Sequence, residues 1–353
     1  MAGLTQTAYY TRKGIKYFAL GLVLFTVLKF AWGMGLTWWK QQNPPPPPAP
    51  EVKFGKLPQI QFPAPQTNPS SLSYHLETIE GIPPNLPTLG RVYFMPEANP
   101  GVLALERAKE KAKQLGFGSE PQGLNETTYR FQNAAASPTT LEIDIISGNF
   151  KLFYPYSTDL DLLTNKTLPT DPQAIAEARS VLAKAGILTD DLKEGRSEVS
   201  YWRPEGGNLV PAISFSEADF VRIDLFRADV DDLPILPPNP KRANIYFLFS
   251  GSKQTEKRIV EAGFIYNAID RELSSTYPLK TASQGWQELQ AGQGYIANLG
   301  RNENGKITIR KIYLAYFEEG EGSAQKFLQP IFVFEGDGDF LAYAAAVSPE
   351  LTE

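Results

Sequence analysis

Two acidic clusters hold the residues best suited to chemistry. Glu335-Gly336-Asp337-Gly338-Asp339 alternates carboxylates with glycine, a spacing at which several oxygens could converge on one hard cation such as calcium. A calcium loop of the helix–loop–helix kind needs a glycine where Phe340 stands and a bidentate glutamate where Ala346 stands. The segment therefore reads as a hairpin turn between two strands, with the cation as the sharper alternative. Asp229, Asp231 and Asp232 form the second cluster, either a solvated loop or a seat for a metal or a basic partner segment.

The remaining chemistry is sparse. Cysteine is absent and His75 is the sole histidine, which excludes a Cys/His zinc site within one chain. A Ser-His-Asp relay would have to use His75, and no G-x-S-x-G elbow accompanies it, so His75 reads as a surface or packed side chain. No phosphate-binding G-x-x-x-x-G-K-[ST] occurs. Gly292-Gln293-Gly294-Tyr295-Ile296-Ala297 matches G-x-G-x-x-A, but a helix precedes it where a dinucleotide site needs a strand, so it reads as a helix stop. Tyr201-Trp202 and the aromatics at 247–249 read as sheet core. Asn125 and Asn165 open sequons. A carboxylate pair for glycoside hydrolysis stays open, because spacing in space is invisible in a sequence. The expectation is a protein without catalytic residues, cofactor or metal.

The elements that carry these residues begin with an oily segment. Residues 17–39 form an apolar run ending in Trp38-Trp39, at about 1.5 Å per residue long enough to span a bilayer with some tilt. Arg12, Lys13 and Lys16 precede it, which predicts a cytoplasmic tail at 1–16 and residues 40–353 outside. Lys29 lies mid-span, either snorkelling or contacting an acidic group in a partner's membrane helix. A cleaved signal peptide with its apolar core at 17–28 is the competing reading. Residues 1–40 hold five basic and no acidic groups, leaving 29 basic against 39 acidic in the remainder. That acidic remainder argues against nucleic-acid binding.

Residues 40–70 hold the proline run 44–48 and further prolines, a stiff spacer. Val52, Phe54, Leu57, Ile60 and Phe62 are too apolar for a pure spacer, so its second half is expected to dock on the folded part.

Three segments then share one order of elements, a helix followed by three strands. Units are expected at 71–157, 158–252 and 253–353, an α+β arrangement of repeated helix-then-antiparallel-strands units. The first helix starts at Asn99-Pro100 and stops at Gly116, with strands at 127–132, 140–147 and 150–154. The second starts at Asp171-Pro172 and stops at Gly186, with strands at 197–203, 209–215 and 220–230. The third has a Thr281/Gln284 capping box and stops at Gly292, with strands at 307–317, 329–335 and 340–347. Extra strands at 74–79, 91–95, 244–249 and 259–267 complete sheets or pair between units.

Residues 101–154, with Leu141-Glu142-Ile143-Asp144 running into a glycine turn, resemble PepSY-type domains. Residues 307–316 (ITIRKIYLAY), Gln329-Pro330-Ile331-Phe332-Val333-Phe334 and 342–347 resemble extracytoplasmic regulators of the YycH/YycI type, which also carry one N-terminal membrane helix. The resemblance implies binding and regulation outside the membrane, directed at a membrane or extracytoplasmic protein partner. It carries over no catalytic residue. The expected function is a membrane-anchored, non-enzymatic interaction or regulatory module. A structural envelope component and an envelope hydrolase are the alternatives.

Overall fold

The computed structural model describes residues 3–42, 49–64, 71–98, 101–133, 138–159, 162, 167–323 and 325–353. The proline run 44–48, Pro65, Pro69, the Asn99-Pro100 helix start and the Asn165 sequon lie outside the described residues. The chain divides into two compact units, residues 1–49 and 50–353.

The first unit is one helix, α1 (Leu4–Gln42). Its stretch Tyr9–Trp39 is long and apolar enough to cross a membrane. Residues 4–16, within the expected tail at 1–16, are helical and continuous with the apolar run. Lys29 is exposed on this helix.

The second unit is mostly β, with two sheets. Its elements, in chain order, are β1 (Ser73–Leu76), β2 (Leu89–Phe94), α2 (Ala104–Gln114), β3 (Gln122–Gly123), β4 (Thr128–Gln132), β5 (Thr140–Asp144), β6 (Phe150–Phe153), α3 (Asp171–Lys184), α4 (Asp190–Glu194), β7 (Ser197–Glu205), β8 (Asn208–Pro211), β9 (Phe220–Leu225) and β10 (Ile235–Leu236). There follow β11 (Ile245–Ser250), α5 (Thr255–Arg258), β12 (Ile259–Phe264), β13 (Asp270–Pro278), α6 (Ala282–Gln290), β14 (Tyr295–Asn298), β15 (Lys306–Phe317), β16 (Phe327–Gly336) and β17 (Phe340–Ala345).

The longer helices end the same way. Gly116, Gly186 and Gly292 adopt positive φ just past α2, α3 and α6. The N–H of Phe117, Ile187 and Gln293 then reaches back to the carbonyls of Ala112, Leu182 and Glu288. That satisfies helix-end acceptors that would otherwise lack donors. Capping boxes start α3 (Thr170 with Gln173) and α6 (Thr281 with Gln284). The cap of α3 is thus Thr170, one residue before the expected Asp171, because Thr170 supplies both the extended backbone and the hydroxyl.

The nine-stranded sheet runs β3-β4-β5-β6-β12-β11-β9-β7-β8, antiparallel throughout. Ala108 and Ala112 of α2 and Ala174, Ala178 and Leu182 of α3 pack on its apolar face, among Phe131, Leu141, Ile143, Val221, Ile223 and Phe247. The sheets do not follow the expected boundaries at 157 and 252. β6 pairs with β12 and β9 with β11, and β12 joins the two pairs, so strands from all three expected units share one sheet. β1 and β2 pair instead with β15, β16 and β13, in the sheet of the third.

The eight-stranded sheet follows β1-β15-β16-β17-β14, with β2, β13 and β10 joined to this path. Helix α6 lies close on it because Gly285 has no side chain; a Cβ there would stand 2.7 Å from Phe332. Trp286 and Leu289 then bury against Phe332, Phe334 and Phe340.

Residues 50–62 do not behave as a spacer. Val52 N–H donates to the Thr276 carbonyl, and the Tyr277 hydroxyl accepts from Phe54 N–H and donates to the Gly55 carbonyl. Leu57 is fully buried and bridges Thr352 in parallel. Phe54 contacts Tyr277 and Phe327, and Phe62 stacks on Tyr295. The expected docking of this apolar segment is observed, which corrects the spacer assigned to 40–70: from Pro50 onward the chain belongs to the folded body. Deleting the buried methyls of Leu57 leaves a cavity between this strap and the C-terminus. Leu57→Ala is expected to cost about 2–5 kcal/mol in denaturant unfolding of the full chain in detergent. A change below about 1 kcal/mol would show that the strap does not bear on the core.

Candidate functional site

β15 has twelve residues and is the hub of its sheet. One long side is covered by β16 from Ile309 to Phe317. The other side is covered in two pieces, by β1 alongside Lys306–Ile309 and by β10 alongside Tyr316–Phe317. Backbone direction fixes what lies between. Tyr316 N–H donates to the Pro234 carbonyl at 2.8 Å and Glu318 N–H to the Leu236 carbonyl at 3.0 Å, so these even-numbered residues face the β10 side. By strand alternation the N–H and C=O of Leu314 and Ile312 face the same way. Glu77 N–H reaches Ile309 C=O at 2.9 Å on that side, the change of parity being taken up by a bulge where Ile309 opposes Gly336 and Lys311 opposes Glu335. Among the described residues, no strand or loop backbone pairs with Ile312 or Leu314 on this edge.

The chain itself prevents β10 from closing the gap. In the register of β10, residue 234 would donate to Leu314 C=O, and Pro234 has no N–H. Just before it, Val230 and Leu233 exchange hydrogen bonds of 3.0 and 2.9 Å around a two-residue turn, Asp231-Asp232. Both aspartates have positive φ, 52° and 60°, the geometry of a type I′ turn, which carries the backbone away from β15.

The open edge lies in a groove of about 660 Å³ lined by Leu86, Arg91, Asp232, Leu233, Lys311 and Tyr313 among others. Arg91 meets Asp231 at 3.2 Å, and the Tyr93 hydroxyl donates to the same carboxylate at 2.6 Å. The Tyr316 hydroxyl donates to Arg91 C=O at 3.0 Å. Lys311 sits over the Tyr313 ring at 4.7 Å. Burial, with the charge of Glu335, pushes the Tyr313 phenol up to about 12, so it stays protonated at physiological pH. Neither Lys311 nor Asp232 forms an ion pair among the described residues, and both are exposed.

The acidic residues singled out from sequence thus separate. Asp231 and Asp232 line the groove, and Asp229 is exposed nearby in sequence, its charge supporting the half-buried Arg196. Glu335 is exposed on β16 opposite Lys311. Asp337 is clamped by Arg310 at 2.9 and 2.6 Å, which holds its carboxyl below the usual aspartate range, and Arg310 also grips Glu77. Asp339 pairs with Lys241 at 3.1 Å. Segment 335–339 is the hairpin turn between β16 and β17; among the described residues no three carboxylates or His side chains converge as a metal seat. His75 is exposed beside Glu77. Sequence reading missed Arg91, Lys311, Tyr313 and Pro234. The available signal was Pro234, two residues after the Asp231-Asp232 pair and inside the short apolar run 233–236.

No known family model matches the chain, and no curated protein matches it. Among solved structures, an uncharacterized protein from Eubacterium rectale superposes with a TM-score of 0.35 at 12% identity, over 74% of this chain and 84% of that one.

A buried ion cluster that sequence reading also missed braces this region. Arg227, after β9, donates to Asp191 of α4 at 2.7 Å and to Glu318, at the end of β15, at 2.7 Å, with its guanidinium against the Tyr266 ring. All three charged side chains are nearly excluded from water. Burial pushes the Asp191 carboxyl up, but Arg227 and hydrogen bonds from Thr189 and Tyr266 outweigh it, and the net shift is downward. Arg227→Met would leave two buried carboxylates without their shared cation. We expect a loss of about 3–5 kcal/mol by denaturant titration, largely recovered when Asp191 and Glu318 are also made apolar. With Asp191 held low in the folded state, its contribution is complete above the ordinary aspartate value of 3.8 and drains away as pH falls below it. A wild-type stability profile flat from pH 5 to pH 2 would contradict this.

Proposed function

We propose that the protein is a membrane-anchored, non-enzymatic binding module that holds a segment of another protein in the β15 groove on the outer side of the membrane. Helix α1 supplies the anchor. Arg12, Lys13 and Lys16 on its N-terminal flank favour a cytoplasmic N-terminus, which would leave residues 50–353 outside. Lys29, mid-span, would meet an acidic side chain of a membrane partner. The regulatory role implied by the resemblance to PepSY-type and YycH/YycI-type proteins belongs to this reading.

The observation that carries it is the interrupted edge of β15. A groove with open backbone groups, an aromatic wall and two unpaired charges of opposite sign suits a polypeptide ligand. The most buried carboxylates and Asp337 are held by arginines: Asp191 and Glu318 by Arg227, Asp224 by Arg222, and Asp337 by Arg310.

Two measurements test the reading. Protease added outside sealed cells should digest residues 50–353; protection of that part would reverse the orientation. A photo-crosslinking side chain placed at Lys311 of the full-length protein should give one discrete protein adduct in intact membranes. The same group at Lys253, exposed near α5, should not give it. Identical products from both positions would remove the groove from consideration.

A further inference from the structure

We infer that the ligand of this groove enters as a short β-strand, pairing its own backbone with Ile312 and Leu314 to fill the gap between β1 and β10. The inference rests on the groove being the binding surface and adds how the ligand is held. Three observations carry it. First, the edge is continuous strand: Ile312 and Leu314 keep their register with β16 while their other backbone face has no partner among the described residues. Backbone donors and acceptors in a sheet demand partners, and water or another chain must supply them. Second, the two neighbours stop for identifiable reasons. Beyond Leu76 the chain leaves β15 by a turn in which Gly81 N–H bonds the Thr78 carbonyl, and Pro234 lacks the N–H that would extend β10. Third, the slot has the dimensions of a strand. It spans about three residues, roughly 10 Å, at the end-to-end rise of β structure.

The chemistry of the occupant follows. Its backbone supplies the donor that Pro234 withholds from Leu314 C=O. One set of its alternate side chains meets Leu86 and Leu233, which pack against the core cluster that contains Ile312 and Leu314, and is therefore apolar. Lys311 lies at the β1 end of the slot and Asp232 beside the start of β10, so a segment with an acidic residue at one end and a basic residue at the other complements both. The occupant is thus an extended segment of a partner protein bearing an apolar centre between opposite charges.

The probes are two fluorescent pentapeptides, acetyl-Glu-Val-Thr-Val-Lys-amide and acetyl-Lys-Val-Thr-Val-Glu-amide, whose valines share one face and whose end charges share the other, one complementary to a strand running with β15 and the other to one running against it. Anisotropy is measured on the full chain in detergent micelles. One of the two should bind saturably. N-methylating one alternate set of its amides should weaken binding roughly tenfold while the other set is tolerated, because strand pairing uses every second amide. Pro234→Ala restores an N–H opposite Leu314 and should also weaken binding. Lys311→Glu should weaken the preferred peptide and favour the other. Failure of both peptides to bind, indifference to which amides are methylated, or unchanged affinity in Pro234→Ala would each overturn strand addition. A Lys311 adduct that persists through those failures would leave the groove as the binding surface with a different mode of holding; its absence would dispose of the groove itself.

Discussion

Backbone hydrogen bonding along β15 is the constraint from which the eight-stranded sheet is assembled. A strand of this length presents more donors and acceptors than any one short neighbour can meet. β16 covers one side almost entirely, helped by Pro330, which stands opposite Tyr316 where the strand pair needs no N–H from it. The other side is met piecewise, by β1, which precedes α2, and by β10 from the middle of the chain. Two strands that lie far apart in sequence, Ser73–Leu76 and Ile235–Leu236, therefore share one edge, and the groove is the interval neither reaches. It is a consequence of how the long strand is covered, not an indentation added to a finished surface.

The Arg227 cluster gives the interval a fixed frame. Glu318 continues directly from β15, Asp191 sits on a short helix of the other sheet's layer, and Arg227 follows β9. Replacing such a buried cluster by apolar residues of matched volume is often neutral for stability. What the cluster imposes is alignment. A planar guanidinium can meet both carboxylates and stack on Tyr266 in few arrangements, whereas apolar contacts tolerate sliding. The end of β15 is thereby registered to the nine-stranded sheet, and β10, bonded through Tyr316 and Glu318, is registered with it.

Local patterning made much of the element inventory legible. The strands after each helix alternate apolar and polar residues, as in Leu141, Ile143 and their neighbours, and glycines mark the ends of α2, α3 and α6. The apolar residues of 50–62 announced that they would not stay in solvent. What remained hidden is pairing between distant strands. β6 and β12 are separated by more than a hundred residues, and nothing in either run says which partner it takes. β13 was missed because its sequence, DRELSSTYP, lacks alternation over its first half, where a bulge shifts its register against β2. The acidic clusters were legible as residues but not as sites, since their cations, Arg91, Arg310 and Lys241, come from elsewhere in the chain.

The turn Asp231-Asp232 shows how a local strain can be traced to a purpose. Type I′ turns favour asparagine, aspartate and glycine, because two consecutive residues have positive φ, a region that other side chains enter at about 1–2 kcal/mol each and aspartate at a smaller cost than those but a larger one than glycine. For Asp231 that burden is offset by Arg91 and by the Tyr93 hydroxyl, both of which would lose their acceptor with glycine. Asp232 has no such return within the described residues: it is exposed and makes no ion pair. A glycine there would relieve the backbone and forfeit no side-chain hydrogen bond or ion pair among the described residues. What the aspartate adds at this position is its charge, which faces a groove whose opposite end holds Lys311, likewise without an ion pair among the described residues.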